Sequence, residues 1–379
     1  MTMVFLADAL RTAVAPKNGA FGNIESVQLA REVIAALVGR AGLSGDFRIE
    51  VILGNALYGG GNPARVAALA AGLPIKVPAL TIDTQCCSGL DAIILGASRI
   101  KSGDADLVIA GGVESYSRAP LRFTKPLSKR DEPQFYSRPP FTPWRDRDPD
   151  LIESAAALSE QLRIERAAQE AYAIESHRKA RLNRATCQEI VSVACITSDQ
   201  FTRDLNVPAC KRLAGIKGIV PYEMTAVTVA VEADAAAAVL LASEPVMRKL
   251  SLTAKPIVFC GGFALGFDPV QPALAPIQAA RELLLRHSLT ASGLSVVEIM
   301  EAFAVQAMAF NSSLGFAPDH VNRGGGALAR GHPIGASGAI LAVRLFHELQ
   351  REKNGATGLA AIAAAGGLGS ALLLQRKDF

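Results

Sequence analysis

The 379-residue chain lacks the marks of several classes. Its six cysteines form no Cys-x-x-Cys pair and no metal spacing with histidine, so neither a metal centre nor a disulfide framework is expected. The opening "MTMVFLADALRTAVAPK" has no basic-then-apolar leader pattern, and no apolar run approaches the roughly 18 residues of a membrane helix. Charged residues make up only 20%, the net charge is +4, and the basic residues are scattered. A nucleic-acid binder would show a denser stripe. These absences predict a cytoplasmic protein with reduced thiols, no nucleic acid and no membrane among its partners. Half the residues are hydrophobic, which suits two or three packed units.

What is present repeats. "AREVIAALVGRAGLS" (30–44) and "ARELLLRHSLTASGLS" (280–295) share an opening, a helical apolar spacing and a Gly-Leu-Ser ending. Each runs into an apolar strand pattern, "IEVILGNAL" and "VVEIMEAFA". A second echo starts at Ser88-Gly89 and again at Ser337-Gly338, each time a helix, a break, a buried-type strand and Gly-Gly. Helices alternating with short apolar strands indicate α/β layers with covered sheets, and two such halves imply a pseudo-twofold core. The boundaries predicted are an N-terminal half over 1–116, an inserted loop domain over 117–215, a return to the first half over 216–250, and a C-terminal half over 251–379. The insert opens with a proline-rich, charged and aromatic loop and continues as a helical pattern. "TAVTVAVEADAAAAVLLAS" then reads as strand-like and helical apolar patterning.

The chemistry-bearing stretch is "TIDTQCCSGLDAI" (81–93). "VPALTID" (77–83) suits a buried strand, and the residues after Ser88 suit a helix packed by Leu90, Ile93, Ile94 and Ala97. Cys86 and Cys87 fall at the turn between them. A thiol there meets unpaired N–H groups, which should lower its pKa and could hold an oxyanion on an attached acyl group. Successive residues of a tight turn point different ways, so only one thiol takes the reactive position. In the second half, "NRGGGALARGHPIGASGAI" (322–340) sets His332 among glycines just before the partner helix. Twofold-related turns should face each other, bringing Cys86 and His332 together as an activated thiol pair.

These features together resemble the thiolase family. "RTAV" (11–14), "GNPARVAALAAGLP" (61–74), "QCCSGLDAI" (85–93), "GGVESYS" (111–117), "GFDP" (266–269), "EAFAVQ" (301–306) and "GHPIGASG" (331–338) stand in the family's order. The resemblance implies an α/β thiolase fold: a duplicated five-layered αβαβα core with an inserted loop domain, assembled as a homodimer or homotetramer. It implies a coenzyme A thioester as substrate, no permanently bound cofactor, and an acyl-cysteine intermediate. Cys86 matches the family's nucleophile, Cys87 a small-residue position, and His332 the activating histidine. The backbone N–H groups of Cys86 and Ala365 match the oxyanion hole.

Three positions depart from the family pattern. Met300 stands for the asparagine that positions a water, and Ala363 for the second cysteine that removes the α-proton of the accepting acetyl-CoA. Ala230 stands where a serine is common beside the pantetheine arm. A thioether is only a weak acceptor and a methyl group cannot move a proton. The expectation is acyl transfer through Cys86 with Claisen condensation and thiolysis impaired, unless Cys87 or Glu301 reaches the space beside Ala363 as a base. The alternative is a non-catalytic or partner-dependent subunit that binds acyl-CoA.

Overall fold

The structure, a computed structural model, describes residues 2–42, 47–183, 188–250 and 252–378. The Leu43-Ser44 end of the first repeat and Cys187 lie outside the described residues. Among the described residues the main sheet has eleven strands, nine of them in one continuous order: β1 (Val4–Thr12), β2 (Ile49–Gly54), β3 (Ala79–Ile82), β4 (Leu107–Ser115), β5 (Ala233–Ser243), β6 (Ile257–Gly266), β7 (Val296–Ile299), β8 (Thr357–Ala364) and β9 (Leu368–Arg376). Their spatial order is β3-β2-β4-β5-β1-β6-β9-β8-β7. The halves meet at β1–β6 through only the pairs Phe5–Val258 and Leu6–Ile257. Outward from that seam the pairing senses match: β1–β5 and β5–β4 are antiparallel and β4–β2 parallel, while β6–β9 and β9–β8 are antiparallel and β8–β7 parallel. The parallel bridge Val297–Val321 takes the place that β3 holds beside β2.

Eight longer helices lie among the described residues: α1 (Ser26–Ala41), α2 (Pro63–Ala70), α3 (Ser88–Lys101), α4 (Leu151–Gln161), α5 (Arg166–Leu182), α6 (Ala275–Arg286), α7 (Ala304–Leu314) and α8 (Ile334–Arg351). Alternate residues of one strand feed different cores, because successive side chains leave opposite faces of a sheet. Ile109 and Leu240 pack with Leu29, Val33 and Leu37 of α1. Val108, Val239 and Leu241 pack inward on Leu90 and Ile93 of α3 and Ile340 and Val343 of α8. Ala360, Ile362, Leu372 and Leu374 close on the same helices from the other half, and Leu359 and Leu373 turn outward to Leu283 of α6 and Phe310 of α7. The layers therefore run αβαβα, with α3 and α8 in the middle.

Those two helices cross at their first turns, and the crossing is reciprocal. A Cβ on Gly89 would lie 2.8 Å from Ala339 N, and one on Gly338 would lie 2.6 Å from Leu90 N. Residue 89 meets 339 and residue 90 meets 338, the self-complementary contact of a twofold axis. This is where the Ser-Gly echo places them, and only glycine permits the approach.

Two details differ from expectation. β3 is the sheet's open edge rather than a buried strand: Leu80 is 41% exposed and Ile75 before it 85%. A parallel pattern reads as doubly covered, but among the described residues no strand pairs with its far edge. The alanine run of "EADAAAAVLLAS" is a single fully buried strand, β5, with no helical part. Its small side chains let neighbours close in, and a Cβ on Gly111 would lie 2.1 Å from Ala237 O. Among the described residues no helix is long and apolar enough to cross a membrane.

Candidate active site

The site forms where the first turns of α3 and α8 meet. On the first side, the Gln85–Cys87 turn leads directly into α3. Gln85 sits in the left-handed region (φ 54°), which a non-glycine residue adopts only when its surroundings hold it there. Those surroundings are local. The Gln85 N–H donates to Asp83 Oδ1 (2.8 Å), the Thr84 N–H to Ser88 Oγ (2.8 Å), and the Ser88 hydroxyl to Gln85 O (2.6 Å). Gly54 on β2 lets Ser88 pack against the strand, since a Cβ there would lie 2.5 Å from the serine. The result fixes the direction of the Cys86 side chain.

On the second side, His332 is held between Gly331, at φ 114°, and Pro333, and its N–H donates to Val231 O (2.8 Å). The Gly335 N–H donates to Glu114 Oε2 (3.1 Å), tying the start of α8 to β4. Burial raises Glu114 to about 7, although it also accepts from the N–H groups of Ala56 and Leu57.

Cys86 Sγ and His332 Nε2 are 3.3 Å apart. His332 Nδ1 lies 2.6 Å from Ser337 Oγ, and the Ser337 hydroxyl donates to Pro333 O (2.9 Å). With its one proton committed to Pro333, Ser337 can only accept from the ring, so Nδ1 carries the hydrogen and Nε2 offers its lone pair to the thiol. Burial holds His332 down at about 4, so the ring is neutral. Ser337 received no role from the sequence. Its signal was its place five residues beyond His332, with the first turn of α8 folding it back.

The thiol corrects an expectation. The N–H groups of Ala365 and of Cys86 do favour its anion, but burial outweighs them, with Glu114 and Asp83 adding to the effect, and pushes it up to about 12. The resting pair is a neutral thiol hydrogen-bonded to a neutral imidazole, not a thiolate beside an imidazolium. The two amides that face the sulfur are those read from the sequence as the oxyanion hole.

Beside this pair opens a cleft of about 200 Å³. Ala363, Ala364 and Ala365 form one wall, Ala230, Ala302 and Phe303 another, and Leu151, Ile152 and Ser154 of α4 cover it from the insert. α4 starts cleanly there because Asp150 caps it, accepting from the Ile152 and Glu153 N–H groups. Cys87 does not line the cleft; its thiol points to Ile362 O (3.6 Å) inside the core. Glu301 also turns away, accepting from Ser176 Oγ (2.7 Å) and Asn322 Nδ2 (2.7 Å). Met300 is packed in the central core, 3% exposed. No carboxylate or second thiol stands beside Ala363 among the described residues that line the cleft.

Comparison with known proteins agrees with this architecture. The profile of the thiolase N-terminal domain matches residues 4–245 and that of the thiolase C-terminal domain residues 254–376. The chain is 35% identical to an acetyl-CoA acetyltransferase of Cupriavidus necator, over the whole of both chains. The crystal structure of the Bacillus anthracis acetyl-CoA acetyltransferase superposes with a TM-score of 0.90 at 30% identity, covering 99% of each chain. The duplicated five-layered core and these full-length matches together show that the chain belongs to the thiolase family of acyltransferases.

Proposed function

We propose that the protein takes an acyl group from an acyl-CoA onto Cys86 and passes it to an acceptor, with carbon–carbon bond formation and thiolysis impaired. The observation that carries this reading is the 3.3 Å contact between Cys86 Sγ and a His332 Nε2 free to accept a proton. As Sγ attacks the thioester carbon, its proton moves to Nε2, so no free thiolate need form. The carbonyl oxygen becomes an anion held by the N–H groups of Cys86 and Ala365. Collapse expels the coenzyme A sulfur, which recovers the proton from Nε2, and leaves the acyl group on Cys86. The names of the relatives favour acetyl as the group carried.

Condensation needs a second base to remove the α-proton of an accepting acyl-CoA. The wall where that base would stand carries the Ala363 methyl group, and Cys87 and Glu301 are engaged elsewhere. Losing a general base costs about 10²–10⁴-fold in rate. Incubation with acetyl-CoA followed by intact-mass analysis should show one added acetyl group on the wild type and none on Cys86→Ala. Acetoacetyl-CoA formation should be slower than enzyme acetylation by at least about a hundredfold. An adduct that persists in Cys86→Ala would end this reading, and fast condensation would end the impaired part of it.

The assembly we propose is a homodimer in which β3 pairs with β3 of a second copy. An open edge strand with exposed Leu80, preceded by exposed Ile75, is a template for such pairing. Leu80→Lys should shift the sedimentation coefficient to that of a monomer; an unchanged value places the interface elsewhere.

A further inference from the structure

The two amides that face the Cys86 sulfur come from separate pieces of chain, and one side chain joins those pieces. The Cys86 N–H belongs to the turn before α3, and the Ala365 N–H to the loop 365–367 between β8 and β9, closed by the Ala364–Leu368 pair. Asp91 lies in the first turn of α3. Its Oδ2 accepts from Thr84 Oγ1 (2.6 Å), two residues before Cys86, and its Oδ1 accepts from Ser370 Oγ (2.6 Å) on β9. Both lengths are those of hydroxyls donating to an ionised carboxylate. Burial raises the Asp91 carboxyl, and the Ser370 and Thr84 hydroxyls work against that rise. Among the described residues no lysine or arginine forms an ion pair with it.

We propose, on the acyl-Cys86 reading above, that Asp91 is a positioning residue that sets the spacing of the two oxyanion-hole amides. Its first arm ends in the nucleophile turn. The Thr84 N–H donates to Ser88 Oγ (2.8 Å) and its carbonyl accepts from the Cys87 N–H (3.2 Å), so a shift of Thr84 carries the Cys86 amide with it. The second arm ends in the hairpin, where Ser370 pairs with Ile362, three residues before Ala365. The Cys87 thiol also crosses to Ile362 O, but at 3.6 Å and as a weak donor it holds little. An aspartate bonded through both oxygens is a short, stiff strut between turn and hairpin. An acid that only favoured its own helix N-terminus would have no use for the Ser370 bond, which reaches into the other half of the molecule. Stabilising an oxyanion requires both N–H groups within about 2.7–3.1 Å of one oxygen, so the distance between turn and hairpin bears directly on the acylation barrier.

The test is difference infrared spectroscopy of the enzyme acetylated with acetyl-CoA isotope-labelled at its carbonyl carbon, alongside acylation kinetics from coenzyme A release. Hydrogen bonds from the hole draw the thioester carbonyl band to lower frequency. Asp91→Ala should move the band up towards that of free acetyl-CoA. It should also lower the acylation kcat about tenfold with KM little changed, less than the 10²–10³-fold that follows outright loss of a donor. Asp91→Asn keeps the length and one accepting oxygen, and should restore the band and most of the rate. Ser370→Ala cuts the strut at the hairpin by deleting one hydroxyl. It should move the band the same way, and it carries the test if Asp91→Ala does not fold. A merely structural role would lower the melting temperature of these variants while leaving the carbonyl band of their adducts where it is in the wild type, and that result overturns the proposal. So does an Asp91→Asn band displaced as far as that of Asp91→Ala. Failure of the underlying reading looks different: no acetyl adduct on Cys86 in the wild type.

Discussion

At the residue scale the site is a matter of protons. Cys86 sits where helix-terminal N–H groups should make a thiolate, and two amides do act that way, yet enclosure wins and the thiol stays protonated to about 12. Alkylation of Cys86 by iodoacetamide reads this directly, since only the anion reacts. The rate should be low at pH 7 and rise about tenfold per pH unit up to the thiol's pKa. A plateau below pH 8 would instead show a preformed ion pair. Ser337 acts on the same balance from behind the ring. Ser337→Ala removes the acceptor that holds the Nδ1 proton, frees the ring to turn or take the other tautomer, and should lower the acylation kcat about 10–100-fold with KM little changed. Equal kcat in the two proteins would show that Pro333 and the enclosing walls suffice to orient His332. The pairing of Cys86 with His332 was legible in the sequence because it followed from mirrored glycine-flanked turns. The protonation state was not, because burial is a property of the finished fold.

At the element scale the decisive contact is the crossing of α3 and α8. Backbone meets backbone there, so a single methyl has nowhere to go: a Cβ on Gly338 would lie 2.6 Å from Leu90 N. In an isolated helix Gly→Ala is stabilising by about 1 kcal/mol. At 338 the sign should invert, with a loss of about 1–3 kcal/mol from overpacking. Gly39 of α1 is the matched control, since nothing lies within 4 Å of its added Cβ and Gly39→Ala should stabilise. Urea midpoints of the two variants check both signs, and a gain at 338 would mean that the helices separate cheaply. The same scale explains what patterning missed. Four consecutive alanines favour helix by propensity, but β5 needs small residues on both faces to lie between two layers of helices, and tertiary packing overrides propensity. β3 was read as buried because a short apolar run does not say whether a neighbour exists on each side.

At the scale of the whole molecule, a cluster of buried charges joins β1, residues 189–199 and the C-terminal half. Arg11 pairs with Glu189 (2.8 Å) and Asp199 (2.7 Å), Arg330 with Asp199 (3.1 Å), and Arg344 with Glu189 (2.6 Å) and Glu348 (2.6 Å). Burial opposes charge on Glu189, yet Arg344 and Arg11 hold its carboxyl well below the usual range. Arg351 adds a partly exposed contact to Glu348 (3.2 Å), so four guanidinium groups meet three carboxylates before the last member, Glu298 of β7, is counted. Glu298 is fully buried and neither of its oxygens has a hydrogen-bond partner among the described residues. Burial raises it to about 8 against the pull of Arg344 and Arg330, with Glu348 and Glu189 adding to the rise. The carboxyl is therefore protonated in the folded protein at neutral pH, while in the unfolded chain it ionises near 4.5. Between those values the unfolded state holds fewer protons, so the stability Glu298 contributes at low pH is lost as pH rises to about 8, by up to about 1.4 kcal/mol per pH unit. Glu298→Gln keeps the shape and removes the titration. The melting temperature of the variant relative to wild type should climb from pH 5 to pH 8 and then level off. A difference that stays flat across this range would show that Glu298 is ionised in the fold.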